Sequence, residues 1–231
     1  MFEYLFPLLA LVHPGAVSRK ITRVLAWWRP LVAVALCAVC VGVAGHSIIT
    51  TAVVAHLPRS ATPEDIIQVR AWLDADLLPR TLLLPVRVGA ESALGGFLLL
   101  LLARGFLGGT GEAFKGYFVL SLVASAIPLF GRLAGIVVTL TRGGASGALL
   151  AAPWTLASVF PGEQDYRAIL LLTSLNLFTL WYVCFLTLGL AVLCTCKVWK
   201  AFLVAVAAWT LSAAFSTAVL VLLRSAFQFG L

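Results

Sequence analysis

Arg87 and Glu91 stand four residues apart inside a stretch, residues 82–106, that is otherwise almost entirely apolar. At that spacing they share one face of a helix, although arginine preceding glutamate is the less favoured order for such a pair. An ionised side chain within a bilayer costs at least about 2.5 to 3.5 kcal/mol, so it pairs, faces a bundle interior or lines a wet cavity. Three readings follow. The span starts near Gly89 and Arg87 snorkels to the interface; the pair is glue within a bundle; or it marks a substrate or proton pathway. The first is the plainest, because carriers usually also show broken helices or internal repeats, and no repeat is evident here.

Other candidate chemistry is thinner. Gly144-Ala145-Ser146-Gly147 matches the G-x-S-G string of intramembrane serine proteases. A serine nucleophile needs an activating base, which in those enzymes is a histidine on a later span. His13, His46 and His56 all precede it. Cys37 and Cys40 share a helix face, but His46 lies more than a turn beyond and no carboxylate is near, so no metal set forms. His46 reads as a hydrogen-bonded residue near the end of the first span and His56 as interfacial. Cys194 and Cys196, two apart, point to different faces. No phosphate-binding glycine loop follows a strand. Neither a cofactor nor a catalytic group is expected.

These few polar groups are set in a chain that is 62% hydrophobic and 11% charged, with a mean hydropathy of +1.07. A spanning helix needs about 20 predominantly apolar residues. Five stretches qualify, which leaves no room in 231 residues for a separate soluble domain. The net charge of +7 belongs to span ends and to segments interleaved with Trp and Leu. It therefore points to anionic lipid headgroups and not to nucleic acid. Residues 1–12 carry Glu3 and Pro7 and lack a basic start, so they do not read as a cleavable signal peptide. The five cysteines sit in or beside apolar runs, where cysteine usually serves as a small packing residue.

The expected architecture is all-α: a polytopic membrane bundle of five transmembrane helices with interfacial amphipathic helices. Residues 1–29 form an N-terminal interfacial amphipathic segment and residues 30–231 the five-span domain. In the first, Val17, Ile21, Val24, Leu25 and Trp28 recur at helical spacing while Arg19, Lys20 and Arg23 take other faces. The plain reading of that segment is an anchored N-terminus of the bundle; the alternative is a partner-binding helix. The first span covers residues 30–54. Thr62-Pro63-Glu64-Asp65 is a helix start, and Pro79 is expected to end a short surface helix.

The second span lies within residues 82–106. The third, residues 116–140, contains Pro128, which should kink it. It also carries two pairs of small residues four apart, Ser121 with Ser125 and Gly131 with Gly135, a spacing that lets helix backbones approach closely. Residues 148–160, interrupted by Pro153, are too short to span straight and read as re-entrant or interfacial. The fourth span covers residues 168–194 and the fifth residues 201–222, where Ala208, Ser212 and Ser216 line another small-residue stripe. Lys and Arg are densest in the N-terminal segment and in the turns at 104–115 and 195–200, which places the N-terminus inside.

Residues of the second half resemble the Yip1 domain. The pattern runs from Phe106-Leu107-Gly108-Gly109 through Phe114, Ser121, Ala124, Ser125 and Pro128 to Leu156-Ala157-Ser158-Val159-Phe160-Pro161. It then continues through Ser174-Leu175-Asn176-Leu177-Phe178-Thr179-Leu180-Trp181 to Leu188-Gly189-Leu190. Pro14 and Pro30 in the N-terminal part fit as well. The resemblance implies an all-helical fold with a cytoplasmic N-terminus, of the type found in bacterial inner membranes. Eukaryotic relatives are associated with small GTPases, but the long acidic N-terminal region is missing here, which argues against that role. Some bacterial members accompany ABC-type exporters.

The sequence thus favours a non-enzymatic scaffold or accessory subunit, possible partners being membrane lipids, another integral membrane protein or a second copy. The alternative is a small transporter or lipid-handling protein with a polar cleft around Arg87 and Glu91.

Overall fold

The computed structural model describes residues 10, 13–21, 28–55, 62–108, 113–141 and 176–228. Six helices lie among them: α1 (Pro14–Ile21), α2 (Trp28–Ala55), α3 (Pro63–Leu107), α4 (Phe114–Thr141), α5 (Leu177–Leu193) and α6 (Val198–Gln228). His56, the Gly144–Gly147 string, the segment 148–160 and the first part of the expected fourth span lie outside the described residues. So do the side chains of Arg19, Lys20 and Ser216.

Four helical segments are long and apolar enough to cross a membrane: Trp28–His46, Thr81–Leu107, Phe114–Val138 and Val198–Phe215. They make the chain a multi-helix membrane protein. Large apolar side chains point outward, among them Leu36, Leu82, Val86, Phe106, Phe202 and Leu203, the surface expected where the solvent is hydrocarbon. The described part of the fourth expected span, α5, is apolar but has 17 residues. At 1.5 Å per residue it measures about 25 Å, short of a roughly 30 Å hydrocarbon core.

The short surface helix expected to stop at Pro79 does not stop there. α3 is one helix of 45 residues, about 67 Å long, running through both Pro79 and Pro85. Each proline removes one backbone bond, to the carbonyls of Ala75 and Thr81 respectively. Neighbouring helices in a bundle can absorb such a loss. Its ends follow local rules. Thr62 caps the start in a capping box with Asp65, Pro63 opens the first turn, and Gly108 closes the helix with φ +65°.

α2 and α3 run antiparallel, with Leu31 beside Gly89 and His46 beside Asp74. A small apolar cluster, Val34, Ala38, Val88, Leu122 and Ala126, joins these two helices to α4. The larger core lies between α3, α4, α5 and α6 and includes Leu99, Tyr117, Leu120, Ile127, Phe185, Leu190 and Val204. Ala10 and Val17 belong to it, and the Trp181 indole donates to the Ala10 carbonyl at 3.3 Å. Among the described residues of the N-terminal segment, Ala10 and Val17 therefore pack into the bundle.

Candidate functional site

Three close approaches set the register of α3, α4 and α5. A Cβ on Gly96 would lie 2.8 Å from the Phe118 Cα, so α3 and α4 touch backbone to backbone there. A Cβ on Gly189 would run into the Leu120 side chain, and one on Gly131 would sit 2.8 Å from the Phe178 ring. These contacts hold α3 and α5 against α4. Asn176 caps α5 by accepting from the Thr179 N–H at 2.9 Å.

Where the helices are not in such contact, a cavity of about 720 Å³ opens between α3, α4, α5 and α6. Arg87, Glu91, Ser92, Leu94 and Gly95 line it from α3; Ser121, Ser125, Pro128 and Arg132 from α4; Thr179 and Tyr182 from α5; and Trp209, Ser212, Ala213 and Phe215 from α6. A volume of this size lies in the range of small-molecule sites. Its polarity is graded. At the rim Arg87 Nε donates to Glu91 Oε1 at 2.6 Å, with both side chains about two-thirds exposed (67% and 62%). Arg132 is exposed as well. On the floor Ser92 and Ser121 are buried.

The residues singled out from the sequence divide between this cavity and the packing. Arg87 and Glu91 do pair, and they lie inside the segment Thr81–Leu107. Ser121, Ser125 and Ser212 line the cavity; the Ser125 hydroxyl donates to the Leu122 carbonyl at 2.7 Å. Gly131 takes the Phe178 ring, Ala208 is buried in the core, and Gly135 is half-buried. Among the described residues no three His, Cys, Asp or Glu side chains gather as a metal set, and all five cysteines are free thiols.

Sequence reasoning missed Ser92, Arg132, Thr179, Tyr182 and Trp209. One signal was present: 121, 125, 128 and 132 follow spacings of four, three and four, a single helix face. On α4 that face carries Ser, Ser, Pro and Arg. A second pairing also needed the fold. His46 Nε2 meets Asp74 Oδ1 at 2.8 Å, joining α2 to α3 across 28 residues of sequence. No family model, curated protein or solved structure matches the chain.

Proposed function

We propose that the protein is a non-enzymatic small transporter or lipid-handling protein that takes a polar or amphiphilic molecule into the cleft between α3, α4, α5 and α6. One observation carries this reading: a cavity of about 720 Å³, walled by four helices and lined with Arg, Glu, Ser, Thr and Tyr, inside an otherwise apolar bundle. A bundle that only scaffolds has no need to leave a cleft of that size with charged and hydroxyl groups among its lining. The small residues that suggested a partner-binding face are engaged within the chain: Gly131 against Phe178, Ala208 in the core, and Ser121 beside Gly95. A fourth span over residues 168–194, interrupted at the Asn176 cap of α5, would bring the count to five. Membership of the Yip1 type, a bacterial inner membrane and a cytoplasmic N-terminus complete the proposal, on the residue pattern alone.

The test is purification in mild detergent, with mass spectrometry of everything that stays bound. The expected result is a retained small molecule or lipid that Ser212→Trp displaces by filling the cleft, with the melting temperature unchanged. Arg87→Ala combined with Glu91→Ala should lose it too. A stoichiometric membrane-protein partner, with no bound small molecule and no effect of Ser212→Trp, would return the function to an accessory subunit, for example of an exporter.

A further inference from the structure

The rim and floor of the cleft carry a specific chemical request. Arginine and tryptophan side chains only donate hydrogen bonds, and serine, threonine and tyrosine hydroxyls can donate. Among the charged groups of the lining only Glu91 must accept, and Arg87 already serves it. Arg132 makes no hydrogen bond or ion pair among the described residues. Two guanidinium groups against one carboxylate leave the lining one positive charge in excess. The N-terminal end of α5, with Thr179 in the lining, adds the positive end of a helix dipole.

The floor adds an independent observation. Ser92 is 2% exposed, faces the same cavity, and its Oγ has no hydrogen-bond partner among the described residues. A buried hydroxyl without a partner is costly and uncommon, and a mid-helix serine ordinarily satisfies itself on a backbone carbonyl, as Ser125 does. An acceptor entering from the cavity would complete it.

We infer that the cleft binds a phosphate-type oxyanion, free or as the headgroup of an anionic lipid, between Arg132 and Arg87 with Ser92 as a neutral donor beneath. The inference rests on the ligand-binding reading above and narrows it to one chemical class. Guanidinium groups match phosphate oxygens in geometry and charge. Glu91 then has a defined role. It holds Arg87 in place when the cleft is empty and competes with the anion for it.

The experiment uses the whole protein in nanodiscs of phosphatidylcholine, with two probes. Phosphatidylglycerol added to the disc is read by native mass spectrometry, and inorganic phosphate added to the phosphatidylcholine disc is read by calorimetry. Arg132→Gln should weaken binding about tenfold or more, the loss of a charge-assisted contact. Ser92→Ala should weaken it while leaving melting unchanged or higher, a split that a purely structural serine would not give. Glu91→Gln should strengthen binding, because it frees Arg87 and raises the excess charge; a misfolded variant cannot produce that gain.

If phosphatidylglycerol alone shows this pattern, the anion is a lipid headgroup; if phosphate alone shows it, the anion is soluble. Binding of neither probe, or binding indifferent to Arg132→Gln and Glu91→Gln, overturns the inference. A neutral or cationic molecule that Ser212→Trp expels would leave the ligand-binding cleft standing and remove only the anion. An empty cleft under every condition would remove both.

Discussion

The two halves of α3 are held by different physics. From Gly95 to Leu107 the helix meets its neighbours through Gly96 at the backbone of Phe118, Gly95 beside the Ser121 side chain, and buried Leu99, Leu100 and Ala103. From Pro63 to Ser92 it meets α2 and α4 through the small cluster around Val34 and Val88, and through polar pairs, His46–Asp74 across helices and Arg87–Glu91 along its own face. In hydrocarbon, apolar side chains gain little from leaving lipid, so close backbone approach and dispersion dominate helix association. The C-terminal half uses that beyond Gly95. The N-terminal half does not, and the cavity opens where one regime gives way to the other, with Glu91 and Ser92 on one side of the boundary and Gly95 on the other.

The sharpest way to break this contrast is to compare two glycines on the same helix. Gly96→Leu would drive a side chain into the Phe118 backbone, which cannot move aside without separating α3 from α4. Overpacking of that kind should cost about 3 kcal/mol or more, seen as a large fall in melting temperature in detergent. At Gly89 the nearest atom to an added Cβ is the Leu31 side chain, at an ordinary 3.9 Å. Gly89→Ala should therefore raise stability by up to about 1 kcal/mol from helix propensity alone. Equal sensitivity at the two positions would mean that the halves are not distinct.

What was legible in the sequence follows the same divide between local and non-local causes. The start of α3 could be read because Thr62, Pro63 and Asp65 satisfy the first-turn N–H groups by themselves, whatever surrounds them. Pro79 was misread because its effect depends on the neighbours. Taken alone it breaks a helix, but here it sits inside one. Arg87 and Glu91 were visible as charges out of place, whereas Ser92 was not, because a serine in a helix signals nothing until its carbonyl partner is found missing. Gly95-Gly96 likewise looks like a weak point in an apolar run until Phe118 is brought against it.

His46 and Asp74 sharpen the comparison from the polar side. With Nε2 and Oδ1 2.8 Å apart, and side chains 21% and 68% exposed, the pair is half in solvent. Such pairs contribute about 0.2 to 1 kcal/mol. A double-mutant cycle with His46→Ala and Asp74→Ala should return a coupling in that range, and high salt should reduce it where the imidazole is charged. The same salt should leave the Gly96 penalty unchanged, because no charge is involved there. A coupling of several kcal/mol would place this contact in the same energetic class as the glycine crossing and erase the distinction between the halves.

The smallest effect lies at the free end of the polar half. The Asp65 carboxyl is held below its ordinary value by the Thr62 backbone N–H, which donates to Oδ2 at 2.8 Å, and then by the Thr62 hydroxyl at 3.0 Å. Because the folded value lies below the unfolded one, the cap's contribution is complete above the unfolded value. It is lost as pH falls through the folded value. Amide exchange at Asp65 and Ile66, corrected for intrinsic rates, should therefore speed up as pH drops below about 4. Asp65→Asn should flatten that dependence. Amides around Leu99 should not respond at any of these pH values, since no titrating group holds that end of the helix together. Fraying that spread from Asp65 past Ser92 would show the two halves of α3 unfolding as one unit, with the cavity lost along with them.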